Sequence, residues 1–479
     1  MLTIAFEVDV FRSDLTGQPQ MFAFTVRDLV AKDSDVWLYV DLFDRLDLST
    51  FDADYVTQGQ PGIDPRLMVR TIFYGLAHGV ASGRKLAEAC RSEVRYIVLS
   101  GEQHPDFRTF HRFVYRHHER LEALFVQVVR LAQKMGLVSL GRVAIDGSRI
   151  KGNTSKHKAM SYGRMQPAID KIKEELAALR AQLAEENAAS ARGSADSLPS
   201  EIALREDRLA KIEAAKKALE DEAKSEAIDP KAQKSFNDLE AMPMAKVGHE
   251  FKYGYNAQAA VDAQSQIIVA AELHNNPQDS QALPMMLDKV EENCGLCAAE
   301  VLADSGYLSD ANLEAVEAKG STPYIAAGRG EDTVETTAVE QVIPTGSPHE
   351  YLCPAGMPLP ISVQRRDGRT TIQLPEGFCE GCPLQGSCQV FKKTRTVKTI
   401  TIISEPKRQA RSNNLARLRS AKGKDIYRRR KAIVEPVFGN IKSNKGLRIF
   451  VKGRSKVGLW WKMAATAHNL EKIVGSMAA

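Results

Sequence analysis

Apolar residues recur at helical spacing from Asp64 to about Met135. Asp64-Pro65 reads as a helix N-cap followed by Pro at the first helical position, and Leu67, Val69, Ile72, Phe73 and Leu76 supply the apolar face. Between 107 and 124, Phe110, Phe113, Val114 and Leu121 form one stripe. Arg108, Arg112, Arg116 and Arg120 follow one another at i+4, which predicts four guanidinium groups along one helix face. Residues 1–50 are mixed and predict no clear element. Beyond residue 140 the pattern changes to short apolar runs. Strands are expected at 141–146, 251–261 and 265–273, the last two joined as a hairpin at Asp262-Ala263-Gln264. A helix is expected from about Ser280 with Asp279 as N-cap, then a strand at 300–304, a helix at 309–319 and a strand at 322–326. The segment around Glu435 reads as helical, broken or kinked at Pro436.

Three strands followed by alternating helix and strand is the order of an RNase H-like α/β core. In that fold the ends of the first and fourth strands are adjacent, and a late helix carries a third acid. The predicted chain is therefore a helical N-terminal domain over 1–135 and an α/β catalytic core over 136–479, interrupted twice. In the first interruption, 165–226, Ile169, Ile172, Leu176, Leu179 and Leu183 alternate spacings of three and four, a coiled-coil seam. Residues 191–200 break it, and Ile202, Leu209, Ile212 and Leu219 resume it, predicting an antiparallel helical hairpin. The second, 328–400, carries Cys353, Cys379, Cys382 and Cys388. Cys379 and Cys382 have the spacing of a metal knuckle, and four thiolates suit a tetrahedral Zn²⁺ site; unliganded thiols are the competing reading. Cys294 and Cys297 have no visible partners, and Cys90 reads as core.

Composition narrows the class. Of 479 residues, 43% are hydrophobic and 26% charged, the balance of a soluble globular protein. No apolar run reaches the ~18 residues of a membrane span, and the acidic start of the chain is unlike a signal peptide. Seven cysteines, an odd count, argue for a reducing compartment. The net charge of +5 is unevenly distributed. Residues 391–479 carry 23 Lys+Arg and 4 Asp+Glu, a local +19, against −14 for the rest. A basic block of this density is an electrostatic footprint for nucleic acid. It is not a solvated tail, because Ile433, Val434, Val437, Phe438, Ile441 and Leu459-Trp460-Trp461 read as core.

Three carboxylates fit this frame. Asp146 ends the run Val143-Ala144-Ile145 and is followed by Gly147-Ser148. Asp304 ends Val301-Leu302-Ala303 and is followed by Ser305-Gly306-Tyr307. Glu435 lies in the basic stretch from Tyr427 to Lys442. Two Asp at strand ends and a Glu on a late basic helix suit hard divalent cations, which take oxygen ligands. Two such ions ~3.5–4 Å apart can clamp both oxygens of an in-line phosphoryl displacement. Asp262 and Asp279 are the competing acids, read as hairpin turn and helix cap.

At these residues the chain resembles the bacterial insertion-sequence DDE transposases marked by a Tyr-Arg-Glu-Lys signature. Asp-Gly-Ser at Asp146, Ala-Asp-Ser-Gly-Tyr at Asp304 and Glu-Pro-Val-Phe-Gly-Asn-Ile-Lys at Glu435 carry the resemblance. Tyr427, Arg430, Glu435 and Lys442 match the signature, except that the gap from Arg430 to Glu435 is one residue too long; Lys431 or Arg428 are the other candidates. The resemblance implies Mg²⁺ or Mn²⁺ at Asp146, Asp304 and Glu435. It implies phosphate contacts at Tyr427, Arg430, Lys431 and Lys442, and DNA-end binding by the N-terminal domain, with Arg108, Arg112 and Arg116 as contacts. The implied activity is cleavage at the element's terminal inverted repeats and strand transfer into target DNA. A homodimer on double-stranded DNA, in the bacterial cytoplasm and nucleoid, is the implied setting. A transposase-derived DNA-binding protein without activity, and an endonuclease without strand transfer, are the alternatives.

Overall fold

The computed structural model describes residues 11–12, 14, 16–17, 25–55, 61–189, 198–223, 227–246, 249–327, 343–344, 351–359, 361–364, 370–375, 377–384, 398–402, 405–446 and 448–478. The chain forms two compact units. The larger takes residues 1–139, 147–279 and 435–479; the smaller takes 140–146 and 280–434. Six strands frame the two units: β1 (Arg142–Lys151), β2 (Met242–Lys246), β3 (His249–Asp262), β4 (Ile268–His274), β5 (Glu300–Ala303) and β6 (Thr322–Ile325). All five strands expected from the sequence are among them. β1 passes from the smaller unit into the larger at Gly147.

In the smaller unit, β6, β5 and the start of β1 run parallel in that order, with Arg142 level with Glu300 and Ala144 level with Leu302. Val143, Ala144, Ile145, Val301, Leu302, Ala303 and Ile325 are all buried. Parallel strands covered on both faces read as unbroken apolar runs, which is why these segments lack alternation. The Arg142–Glu300 ion pair, 2.7 Å, ties the two strands at their start. The helices Leu283–Cys294, Asp310–Ala318, Glu405–Arg419 and Ala421–Arg428 belong to this unit. Asn414 closes the β6 edge: its Nδ2 donates to Ile325 O at 2.8 Å and its Oδ1 accepts from Ile325 N at 3.1 Å.

In the larger unit, β3 pairs antiparallel with β2 over its first half and with β4 over its second. The end of β1 lies beside β3, where Gly152 N donates to Tyr253 O at 3.0 Å. Here too a buried amide closes a strand edge. Asn469 bonds both backbone groups of Ile268 at 2.8 Å. Asn469 belongs to the helix Arg454–Ala478, which packs on β4 and on the helices Pro65–Ala77 and His118–Lys134. Trp461 of that helix is fully buried, donates to Gln258 O at 3.0 Å and stacks on Phe438. Of the apolar residues expected as core in the basic block, all but Trp460 are buried. The helix Pro65–Ala77 starts as expected, with the Asp64 carboxylate accepting from Arg66 N at 2.8 Å.

The helices Tyr162–Ala189 and Leu198–Ala223 pack through Met165, Ile169, Ile172, Leu176, Ile212, Ala215 and Leu219. The pairs Tyr162–Glu220, Lys173–Glu213 and Arg180–Glu206 step in opposite directions along the two helices, so they run antiparallel.

Three local expectations are corrected. The four-arginine stripe spans two helices, Phe107–Arg116 and His118–Lys134, because buried His117 leaves helical geometry (φ −106°, ψ 24°). Asp279 is not the cap of the following helix; that position is Ala282, and the Asp279 carboxylate faces inward instead. Pro436 does not break its helix, which runs unbroken from Arg430 to Gly439. Asp262 is a turn residue as expected: its carboxylate accepts from Gln264 N at 2.9 Å and from Ser139 N at 3.3 Å.

Candidate active site

The smaller unit brings Asp146, Asp304, Tyr427 and Arg430 together. Arg142, Val143 and Ala144 lie level with Glu300, Val301 and Leu302, so Asp146 and Asp304 each follow the paired stretch by two residues. Neighbouring strands lie ~4.7–4.9 Å apart, and residues two apart share a face. Both acids thus follow buried apolar strand residues, Asp304 just past the end of β5 and Asp146 within β1, which runs on to Lys151. Asp304 also caps the turn Ser305–Tyr307, with Oδ1 accepting from Gly306 N at 2.9 Å.

Arg430 meets this pair. Its Nη1 donates to Asp146 Oδ2 at 3.0 Å, with side chains 9% and 20% exposed. Burial alone would weaken the guanidinium's hold on its proton, but Asp146, Tyr427 and Asp304 raise its pKa above the ordinary value. Arg430 Nε is buried without a hydrogen-bond partner. The Tyr427 ring centroid lies 6.0 Å from the guanidinium carbon, and burial raises the phenol's pKa. Tyr427 belongs to the helix Ala421–Arg428; the chain turns at Arg429, and Arg430 opens the next helix.

On the Arg430 helix, Ile433, Val434, Val437 and Phe438 are buried. Lys431, Glu435, Pro436 and Gly439 lie on the exposed side. Pro436 is tolerated there because it faces solvent. After Gly439 the helix widens into a π turn over Asn440–Asn444, a feature common at functional sites. Lys442 sits in that turn. Its Nζ donates to Ser148 Oγ, and to Arg149 O at 2.9 Å. A buried polar network in the larger unit holds the turn. Asn440 Nδ2 donates to Glu471 at 2.8 Å, and Lys445 Nζ reaches Glu471 at 2.7 Å and Ala77 O at 2.8 Å. His468 accepts from Asn440 through Nδ1 at 3.3 Å, so its Nε2–H donates to Gln266 O at 3.0 Å. Burial pushes the His468 pKa down to about 4, which keeps the ring neutral.

A second cluster surrounds Gly147, where the side chains of Gln258, Asp279 and Asn256 occupy the space beside the backbone. Asp279 Oδ1 accepts from Asn256 Nδ2 at 2.6 Å and from Gln258 Nε2 at 2.9 Å. A Cβ on Gly147 would lie 2.3 Å from Gln258 Nε2 and 2.5 Å from Asp279 Oδ1. The strand passes this cluster only because residue 147 has no side chain. The Asp-Gly dipeptide was the available signal.

The N-terminal arginines differ among themselves. Arg116 donates to Asp54 O, and Arg120 pairs with the Asp54 carboxylate, so both have a structural partner. Arg108 stands 5.7 Å from the Phe107 centroid, and both Arg108 and Arg112 are exposed. Among the described residues no three His, Cys, Asp or Glu side chains gather as a metal-binding group. Cys353 is buried with Leu359 and Leu374, Cys379 packs on that cluster, Cys382 is a free thiol, and Cys388 lies outside the described residues. Cys90 is buried as expected, and Cys294 and Cys297 form no disulfide.

Two segments match known families. Residues 352–474 match the model of a transposase DDE domain, and residues 24–116 match that of the transposase domain DUF772. Both matches support an insertion-sequence DDE transposase. The first match takes in Tyr427, Arg430, Glu435 and Lys442, and the second Arg108, Arg112 and Arg116. No curated protein matches the chain. Among the described residues no helix is long and apolar enough to cross a membrane.

Proposed function

We propose that this transposase cleaves phosphodiesters at the ends of its insertion sequence and joins the freed ends to target DNA, with Asp146, Asp304 and Glu435 as the catalytic acids. The observation that carries the reading is that Asp146, Asp304 and Tyr427 gather around one buried guanidinium, Arg430, whose Nη1 donates to Asp146. The fit to a hard cation rests on that donor set: carboxylate oxygens only, at a place that attracts positive charge. Asp146, Asp304 and Glu435 would hold Mg²⁺ or Mn²⁺, which supplies Lewis-acid neutralisation of the phosphodiester when bound. A Zn²⁺ held by Cys353, Cys379, Cys382 and Cys388 would serve the structure of the insertion and not the chemistry.

Water attacks the phosphodiester at the element end, the P–O bond to the 3′ oxygen breaks, and a 3′-OH leaves. That hydroxyl then attacks a target phosphodiester, displacing another 3′ oxygen. Such transfers need positioning and charge neutralisation more than covalent help from the protein. Lys442, anchored beside Ser148, supplies fixed positive charge to a phosphate, and Arg430 with Tyr427 bounds the aspartate pair. Lys431 offers a further phosphate contact from the exposed helix face. The strand order supports an RNase H-like reading of 136–479, with 165–226 and 328–400 as insertions. Residues 1–135 are assigned to binding DNA ends, through Arg108 and Arg112 more than Arg116. Double-stranded DNA, a homodimer and a cytoplasmic location complete the proposal.

The test is incubation of the purified protein and Mg²⁺ with DNA carrying the flanking inverted repeats. Cleaved and joined products support the reading. Cleavage without joining leaves an endonuclease, and binding without either leaves a DNA-binding protein.

A further inference from the structure

The larger unit carries a groove of about 790 Å³ whose role the cleavage reading does not explain. Arg149, Lys151, Lys158, Lys442 and Arg448 line it, together with Phe450, and no acidic side chain does. Arg149, Lys151, Lys158 and Arg448 take part in no ion pair among the described residues. Four cations gathered without counter-charge repel one another, and a polyanion relieves that repulsion.

Phe450 adds a second, independent feature. Its side chain is 52% exposed. The backbone beneath it is nevertheless fixed. Asn153 Nδ2 donates to Phe450 O at 2.7 Å, and Asn237 Nδ2 donates to Asn153 O at 3.1 Å. Lys452 Nζ in turn donates to Asn237 Oδ1 at 2.7 Å. The chain beyond is stitched down as well, with Arg454 N donating to Glu240 at 2.8 Å. An apolar ring is thus held out to solvent by a polar scaffold, at the rim of a cationic groove.

We propose that this groove binds unpaired nucleotides, with the Phe450 ring as a stacking platform and the surrounding cations on the phosphates. Bases inside a duplex are covered by their neighbours, whereas a single strand offers every base's face to an aromatic ring. A duplex can use such a ring only as a wedge, at the cost of unstacking a base step, whereas an unpaired strand meets no such cost. The inference rests on the DNA-processing reading, because it supposes that the protein meets DNA ends whose strands have parted.

The experiment is fluorescence anisotropy of the full chain, in chelator, with a short labelled single strand and with a hairpin duplex of the same sequence. Phe450→Ala, Phe450→Trp and Arg448→Ala are compared with the exposed control Leu296→Ala. Phe450→Ala is expected to weaken single-strand binding about 5- to 100-fold, the loss of one stacked base, with duplex binding changed much less. Phe450→Trp retains single-strand binding, and Arg448→Ala lowers the steepness of its salt dependence. Equal single-strand affinity for Phe450→Ala, Leu296→Ala and the parent overturns the proposal, as does an equal loss on both DNAs. Cleavage in Mg²⁺ is measured separately. A protein that cuts nothing but shows the Phe450 difference keeps the groove and loses the nuclease reading. One that cuts normally without that difference does the reverse.

Discussion

Replacing Gly147 by alanine adds one methyl group at the most crowded point of the strand that follows Asp146. The new Cβ would lie 2.3 Å from Gln258 Nε2, 2.5 Å from Asp279 Oδ1 and 2.9 Å from Asn256 Oδ1. Ordinary contacts start near 3.4 Å, so at least one partner must move by about 1 Å. Gln258 and Asn256 are 0% and 1% exposed and have nowhere to swing. Overpacking of this kind costs ~1–3 kcal/mol. Moving Gln258 also breaks a hydrogen bond to the Asp279 carboxylate, worth ~1.5–3 kcal/mol. The expected destabilisation is therefore about 2.5–6 kcal/mol, read as a lower urea midpoint. Cleavage should fall as well, because a misplacement of about 1 Å near a reacting centre costs ~100-fold. Gln258→Ala in the Gly147→Ala background removes the nearest clash and should return part of the loss, a coupling that two independent sites would not show. A Gly147→Ala protein within about 0.5 kcal/mol of the parent, with unchanged cleavage, would refute the argument.

Three further outcomes are expected. DNA binding should weaken steeply with salt, since the +19 charge of residues 391–479 implies many neutralised phosphates; a flat plot of log K against log salt would remove the phosphate contacts. His468, with its pKa lowered to about 4 by burial, binds its proton more weakly folded than unfolded. Its contribution is therefore complete above the unfolded value near 6.5 and is lost as pH falls towards 4. At pH 5 the loss is about 2 kcal/mol, and His468→Gln should flatten that part of the stability–pH curve; identical curves for parent and variant would sink the idea. Lys442→Ala should slow single-turnover cleavage at saturating DNA while leaving preference among end sequences unchanged, because phosphate contacts carry no base information. Lys472→Ala, whose Nζ donates to the Gln266 side chain alone among the described residues, is the control, and equal rates for all three proteins would exclude Lys442 from the site.

The strands carrying Asp146 and Asp304 were legible because parallel strands buried on both faces leave apolar runs that end abruptly at an acid. What joins the two runs is a register between residues some 158 positions apart, as at Arg142 and Glu300, which spacing alone cannot give. The Arg430–Asp146 pair was invisible for the same reason, its partners being 284 residues apart. Local rules failed where tertiary packing overrode them. Pro436 sits on an exposed helix face and is tolerated. Arg116 and Arg120 look continuous with Arg108 and Arg112, but His117 interrupts the helix and Asp54 takes both side chains. Glu435 and Lys442, seven residues apart, would lie about two turns along a regular helix, but the π turn at Asn440–Asn444 changes that relation.

The central claim is that Asp146, Asp304 and Glu435 perform the chemistry while Lys and Arg perform the binding. The most direct measurement is single-turnover cleavage of inverted-repeat DNA in Mg²⁺ by Asp146→Asn, Asp304→Asn and Glu435→Gln, alongside DNA affinity in chelator. Each variant should lose ~1,000-fold or more in cleavage, the worth of several kcal/mol of charge stabilisation, with affinity almost unchanged. Cleavage near the parent rate by any one of them would contradict the account and remove that residue from the active site.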